Sequence, residues 1–377
     1  MKKNKILILV SEFCIGGTMS SLYSLLSVLA PSRIQVDIFS RVHRGPYYKR
    51  MPNCTILPEN IWLSHTIFER SIFAKIATKT LLVIRKALEP VGIDMYALYH
   101  RIGGKQIHSD EYDAVIGYDE SMARLISFFP AKKRINWIHS DYRRFSQGRD
   151  ETKYYDKIDA VVCVSNFVKG VFAEVYPQYA DKVYAIHNVI NVEDIRKKAQ
   201  AAIDDTRFIT EAYTLVSCGR LDPVKQFSLI PGLAAQLKDR GAKQFKWYII
   251  GGGNATEQHA IEAEIEKYNV KDAVFILGMK KNVYPYIANS DLYVCTSWSE
   301  SYPMGVNEAK ALLIPVISNN FPSAAESIRN GVDGVICPME EIVDYIMKQM
   351  NHPLSISEDS YQDETLSIIS DFEALLN

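Results

Sequence analysis

Eleven short apolar runs, most of them followed by a stretch of helical periodicity, constrain this chain more than any other feature. The first half holds Lys5–Val10, Ile34–Phe39, Ala114–Gly117, Arg134–Ile138, Ala160–Val164 and Val183–Ile186. The second holds Thr214–Ser217, Lys246–Ile250, Val274–Leu277, Leu292–Cys295 and Pro315–Ser318. Runs that are apolar throughout, rather than alternating, belong to strands buried on both faces. Such strands need helices above and below them, and strand–helix–strand connections make neighbouring strands parallel. Eleven strands are many for one open twisted sheet, and 377 residues suit two domains. The expected architecture is therefore α/β with two parallel sheets. The expected boundary is HNVINV, His187–Val192. It separates residues 1–190 from 191–355, with 356–377 as a terminal docking helix carrying Ile368, Ile369, Phe372, Leu375 and Leu376.

Composition narrows the function. Hydrophobic residues at 47% and charged residues at 23% are ordinary for a globular protein. A net charge of −1 gives no reason to expect nucleic acid. The charge is unevenly spread, however. Residues 1–190 carry 26 basic and 18 acidic side chains, and residues 191–377 carry 17 and 26. A net +8 in the first half suggests that it meets something anionic. The six cysteines show no CxxC and no ligand spacing with histidine, so they read as small buried hydrophobes, and no metal site is expected. MKKNKILILV is read as a first strand, not a leader, because Ser11 and Glu12 end its apolar run. No run of about 18 apolar residues could span a membrane, and a cytoplasmic location is expected. Residues 66–89 place Ile67, Phe68, Ile72, Phe73 and Ile76 among Arg70, Lys75, Lys79, Arg85 and Lys86. Two readings stand: a helix packed on the sheet with a solvated basic face, or a helix lying peripherally on an anionic membrane.

Several chemistries are excluded by motif. There is no GxxxxGK[ST], no HExxH, no GxSxG and no Asp-x-Asp. Four other features remain. Gly16-Gly17 lies between the first strand and a helical pattern at Met19–Leu29, where backbone can approach a ligand and a helix N-terminus favours an anion. Gly251-Gly252-Gly253 ends another strand. Arg220 and Lys225, in CGRLDPVKQ, follow Thr214–Ser217 at the carboxyl edge where open α/β sheets bind ligands. A guanidinium fork beside an ammonium suits a diphosphate. Finally, Glu300 and Glu308 are separated by seven residues, with Pro303 at the start of a helix between them. One carboxylate then flanks a helix N-terminus and the other lies one or two turns in. The pair could accept from sugar and ribose hydroxyls.

ESYPMGVNE, Glu300–Glu308, resembles the glutamate–seven residues–glutamate motif of glycosyltransferase family 4, the retaining sugar-nucleotide enzymes of the GT-B fold. Ser301 and Pro303 depart from that family's usual glycines, and Tyr302 stands for its phenylalanine. GRLDPVK resembles its diphosphate-binding Arg and Lys segment, IIGGGN its strand-end glycine loop, and HNVIN its hinge. VSNFVKGVF and FILGMKKNVYPYIANSDLYVCTS match further segments in the same order. Outside Gly16-Gly17 and 160–191 the first domain matches weakly.

The resemblance implies two Rossmann-like domains facing across a cleft, acceptor on the first and nucleotide sugar on the second, with the last helix returning to the first. It implies that Arg220 and Lys225 neutralise the donor diphosphate and that Glu308 holds the ribose. Glu300, with backbone of Tyr302, Pro303, Met304 and Gly305, would contact the donor sugar. Gly16, Gly17 and Gly252 would line the donor, and Gly278 and Met279 the base. His139, in NWIHSDY, would lie near the transferred sugar. The implied activity is hexosyl transfer with retention from a nucleotide diphosphate sugar, UDP-sugar first. The acceptor is a saccharide or lipid-linked molecule of bacterial surface polysaccharide or glycolipid synthesis, and no metal or other cofactor is expected. The alternatives are a non-catalytic GT-B partner protein and a sugar-nucleotide epimerase-hydrolase, the latter needing further acid/base carboxylates.

Overall fold

The computed structural model describes residues 3–14, 16–60, 62–63, 76, 79–80, 83–84, 87–88, 94–209, 211–358, 361 and 363–376. The chain forms two units, Met1–Val189 with Leu366–Asn377, and Ile190–Thr365.

The first unit is built on a seven-stranded parallel sheet in the order β3-β2-β1-β4-β5-β6-β7. Its strands are β1 (Asn4–Glu12), β2 (Ile34–Val42), β3 (Cys54–Ile56), β4 (Ala114–Gly117), β5 (Arg134–Ile138), β6 (Ala160–Cys163) and β7 (Val183–Ala185). The interior strands are the continuous apolar runs. Ile6 to Val10 are fully buried, in register with β2 through Ile8↔Ile38 and with β4 through Ile8↔Ile116. Sequence reading missed β3, a short edge strand. An edge strand pairs on one side only and keeps part of its surface wet, so it has no need of an apolar run. Helix α1 (Gly17–Val28) begins two residues before the pattern suggested.

The chain's last helix, α3 (Thr365–Leu376), packs into this first unit from Leu366 onward. Its buried residues are Ile368, Phe372, Leu375 and Leu376. The Phe372 ring lies 5.8 Å from that of Trp137, and Arg33 pairs with Glu373 at 3.2 Å. Lys133 Nζ donates to the Leu375 carbonyl at 2.5 Å, satisfying a helix-terminal acceptor. Of the basic-apolar stretch 66–89, residues Ile67, Phe68, Arg70, Ile72, Phe73, Lys75, Arg85 and Lys86 lie outside the described residues. Among the described residues no helix is long and apolar enough to cross a membrane.

The second unit holds a six-stranded parallel sheet in the order β10-β9-β8-β11-β12-β13. These are β8 (Tyr213–Cys218), β9 (Phe245–Ile250), β10 (Val274–Gly278), β11 (Leu292–Cys295), β12 (Val316–Asn319) and β13 (Gly334–Cys337). Strand alternation sends Leu215, Trp247, Ile249, Val294 and Ile317 into one apolar layer. Val216, Tyr248, Ile250, Tyr293, Cys295 and Val316 enter the other. The edge strand β13 was again missed from sequence. A Cβ on its Gly334 would stand 2.7 Å from the Val316 carbonyl, so close strand approach requires glycine here.

The order of each sheet has one consequence for function. Chain progression reverses between β1 and β4 in the first sheet and between β8 and β11 in the second. At such a switch point the loops leaving two adjacent strands turn to opposite faces and leave a crevice at the carboxyl edge.

Candidate active site

In the second unit, the loop after β8 carries Arg220 and Lys225, and the loop after β11 carries Glu300. The two strands are neighbours, with Leu292 opposite Leu215 and Tyr293 opposite Val216. Residues 75 apart in sequence thereby meet. Lys225 Nζ lies 2.6 Å from Glu300 Oε1, with the side chains 26% and 12% exposed. Both line one pocket, together with Cys218, Tyr293, Thr296, Pro303 and Gly305.

Local bonds fix the pair. Asp222 accepts from the Val224 amide at 3.1 Å and turns the chain into Pro223–Lys225. The β11 loop is then sewn to that turn. Thr296 Oγ1 donates to the Lys225 carbonyl at 2.7 Å, and the Trp298 amide to the Val224 carbonyl at 3.1 Å. On its other side Asn319 Nδ2 donates to the Ser297 carbonyl, and Ser323 Oγ to the Glu300 carbonyl at 2.7 Å. Burial lowers the Lys225 ammonium and the Arg220 charge adds to that, but the Glu300 carboxylate and Cys295 together raise it, and the net shift is upward. Lys225 is therefore a firmly protonated cation.

Helix α2 (Met304–Ala311) starts directly after Pro303, one residue later than expected. The Val306 and Asn307 amides donate to the Pro303 carbonyl at 3.1 and 3.2 Å, and Pro303, Gly305 and Val306 of this helix start line the pocket. Gly305 allows this approach: a Cβ there would stand 2.3 Å from Tyr293 Oη. Glu308 lies in the same helix, where burial raises its carboxyl. Tyr284, whose hydroxyl stands 3.2 Å from Glu308 Oε1, and the charges of Lys198 and Lys225 oppose that rise. Tyr302 is half-buried, and burial raises its phenol.

Arg220 is different. Its side chain is 74% exposed and pairs with Asp222 at 3.4 Å, so it is not yet committed to a deep partner. The glycine loop after β9 has a structural task. Gly219 donates to the Ile250 carbonyl, Leu221 to the Gly252 carbonyl and Gly251 to the Gly278 carbonyl, each at 3.0 Å. A Cβ on Gly251 would stand 1.7 Å from the Gly219 carbonyl oxygen. These bonds lace the ends of β8, β9 and β10, so Gly252 positions the Arg220 loop. Gly278 has φ +73°, which favours glycine, and projects Met279 outward at 61% exposure. Lys280 beside it is paired with Asp205 at 2.8 Å.

His139, Gly16 and Gly17 belong to the first unit. Gly16 precedes α1, and a Cβ there would meet nothing within 4 Å. His139 follows β5, with its ring 4.7 Å from Tyr118 and stacked at 6.3 Å on Trp137. Its Nε2 is buried and has no hydrogen-bond partner among the described residues. Burial lowers the imidazole to about 3, so the ring is neutral at physiological pH. Its position depends on a residue that sequence reading passed over. Glu120 Oε1 accepts from the His139 amide at 2.7 Å, the Ser140 amide at 2.5 Å and Ser140 Oγ at 2.8 Å. Thr296 and Tyr284 were likewise missed. None of the three carries a motif, because their partners are remote in sequence. Among the described residues no three of His, Cys, Asp and Glu are grouped as metal ligands.

Residues 198–363 match the family model of glycosyl transferases group 1. An uncharacterised glycosyltransferase of Methanocaldococcus jannaschii is 23% identical over 196 residues, 51% of this chain and 46% of that protein. A Campylobacter jejuni enzyme is 28% identical over 149 residues, 39% of this chain and 37% of its own. It is named N-acetylgalactosamine-N,N'-diacetylbacillosaminyl-diphospho-undecaprenol 4-alpha-N-acetylgalactosaminyltransferase. The chain thus spans less than half the length of these curated relatives. Anabaena HepE, solved in complex with UDP and glucose, superposes with a TM-score of 0.70 at 16% identity, covering 99% of both chains. The fold is that of the GT-B glycosyltransferases, and residues 198–363 carry the sequence pattern of the group 1 glycosyl transferases.

Proposed function

We propose that the protein is a retaining glycosyltransferase of family 4 type, moving a hexosyl group from a UDP-sugar to a saccharide or lipid-linked acceptor. The observation that carries this reading is the Lys225–Glu300 pair at the β8/β11 switch point, with Glu308 on the adjoining helix. A cation, a carboxylate and a helix start lining one pocket suit a diphosphate joined to a hydroxylated ring.

In this reading the donor diphosphate displaces Glu300 from Lys225. Lys225 and Arg220 then meet the negative charge that grows on the leaving group, and no metal is required. Glu300 and the amides of Tyr302, Met304 and Gly305 hold the sugar, Glu308 the ribose, and backbone at Gly278 and Met279 the base. The sugar C1–O bond to the diphosphate breaks while the acceptor oxygen bonds C1 on the same face. The acceptor proton passes to the departing phosphate oxygen. His139 is neutral because it is buried, so in this reading its role is that of a neutral hydrogen-bonding group and not of a charged acid. The basic first unit suits an anionic or lipid-borne acceptor at the inner face of a bacterial membrane, and lipid-linked substrates named for the Campylobacter relative favour that class.

Incubation with a panel of nucleotide sugars and saccharide or undecaprenyl-linked acceptors tests the proposal. UDP release with an α-linked product from an α-linked donor is the expected result, unchanged by a chelator. A protein that binds UDP yet releases none with any acceptor would be a non-catalytic partner instead.

A further inference from the structure

The pocket wall also holds a pair of thiols that the proposed transfer does not use. Cys218 ends β8 and Cys295 ends β11. These strands run parallel, with Leu292 opposite Leu215 and Tyr293 opposite Val216. The paired register ends there; carried two residues further, it sets Cys295 opposite Cys218. The strands are still adjacent there: Ser217 Oγ donates to the Val294 carbonyl at 2.6 Å, and Tyr293 Oη to the Cys218 carbonyl at 3.2 Å. Alternation puts both thiols on the face that carries Val216 and Tyr293, and both join the same apolar layer under α2. Both also line the Lys225–Glu300 pocket.

We propose that Cys218 and Cys295 form a dithiol modification site in the wall of this pocket, which a two-electron oxidant closes into a disulfide. Opposite residues of neighbouring strands have Cα atoms about 4.8 Å apart, within the roughly 4.4–6.8 Å that disulfides span. The two cysteines stand 77 positions apart, so only this sheet order brings them together. In the reaction the S–S bond forms, both S–H bonds break, and two electrons and two protons pass to the oxidant. An azodicarboxamide such as diamide accepts them and becomes the hydrazine. Burial raises both thiols, while the Lys225 ammonium acts against that rise on each. The reaction is therefore slow at neutral pH and faster in mild alkali. The cross-link draws the ends of β8 and β11 together beneath Gly305, and the pocket that receives the nucleotide narrows.

The dithiol rests on strand register alone; only its response to nucleotide rests on the donor reading. The full-length protein is treated with diamide at pH 8.5, with and without UDP, then quenched with N-ethylmaleimide and peptide-mapped by mass spectrometry. A linked Cys218–Cys295 peptide, two hydrogens lighter than its parts, is expected. It should be reversed by dithiothreitol and absent in Cys218→Ser and in Cys295→Ser. Slowing by UDP supports the donor pocket as well; a cross-link indifferent to UDP keeps the dithiol and counts against that pocket. Recovery of both thiols fully alkylated after denaturation, or linkage of either to Cys14, Cys54, Cys163 or Cys337 instead, overturns the proposal.

Discussion

Replacing Glu300 by Gln keeps an acceptor near Lys225 and removes its charge. In the free protein Oε1 stands 2.6 Å from Nζ, with both side chains largely shielded from solvent. A diphosphate that takes Lys225 must draw the ammonium away from this carboxylate. A hydrogen bond between charged groups contributes about 1.5–3 kcal/mol, roughly twice a neutral one. The glutamine therefore relieves roughly 1–1.5 kcal/mol of competition, and at about 1.4 kcal/mol per tenfold UDP should bind some tenfold tighter. Turnover should move the other way. If the carboxylate holds the sugar more strongly as charge develops on it, kcat should fall by about 10²-fold. Titration calorimetry with UDP at fixed salt gives the first quantity, and steady-state kinetics the second. The opposite signs matter, because loss of folding would weaken both. UDP binding that is unchanged or weaker in a folded Glu300→Gln variant would falsify the competition argument.

Three further outcomes follow from the geometry. Arg220→Ala should leave Tm almost unmoved, since the side chain is 74% exposed with one surface partner, yet lower kcat/KM by an amount equivalent to about 2–4 kcal/mol; equal activity would remove Arg220 from the site. Glu308→Gln should weaken UDP binding and also change the pH dependence of stability. Burial raises this carboxyl above its ordinary value near 4.5, so its contribution is fully present below that pH and is lost as pH rises through the higher folded value. The variant should melt higher than the parent at pH 8 and equal to it at pH 4, and thermal scans reversing that order would contradict the cause given. Gly305→Ala would set a methyl 2.3 Å from Tyr293 Oη and should cost about 1–3 kcal/mol by overpacking. Adding Tyr293→Phe removes that oxygen and should restore part of the loss in chemical denaturation; no recovery would mean the helix is displaced by something else.

Much of the fold was legible because burial on both faces leaves a local trace. Most interior strands of both sheets are continuous apolar runs, and all eleven expected runs differ from the observed strands by a few terminal residues at most, with Ala114–Gly117, Arg134–Ile138 and Leu292–Cys295 unchanged. The edge strands Cys54–Ile56 and Gly334–Cys337 left no such trace, since one-sided pairing does not demand it. The separate residues of the second-unit site were legible too, because glutamate spacing around a helix start and cations past a strand end are local patterns. Sequence alone thus determined the interior strands, two of the four edge strands and the two-sheet division, and it singled out Lys225, Glu300 and Glu308 by local pattern. Only the tertiary structure decided that Lys225 faces Glu300 at 2.6 Å, that Glu120 holds the His139 turn, and that Cys218 and Cys295 line the same pocket. Each of these pairs joins loops or strands far apart in the chain. Such a contact is created by the order of strands in the sheet, and a parallel sheet reached through crossover helices can take many orders from the same run of apolar segments.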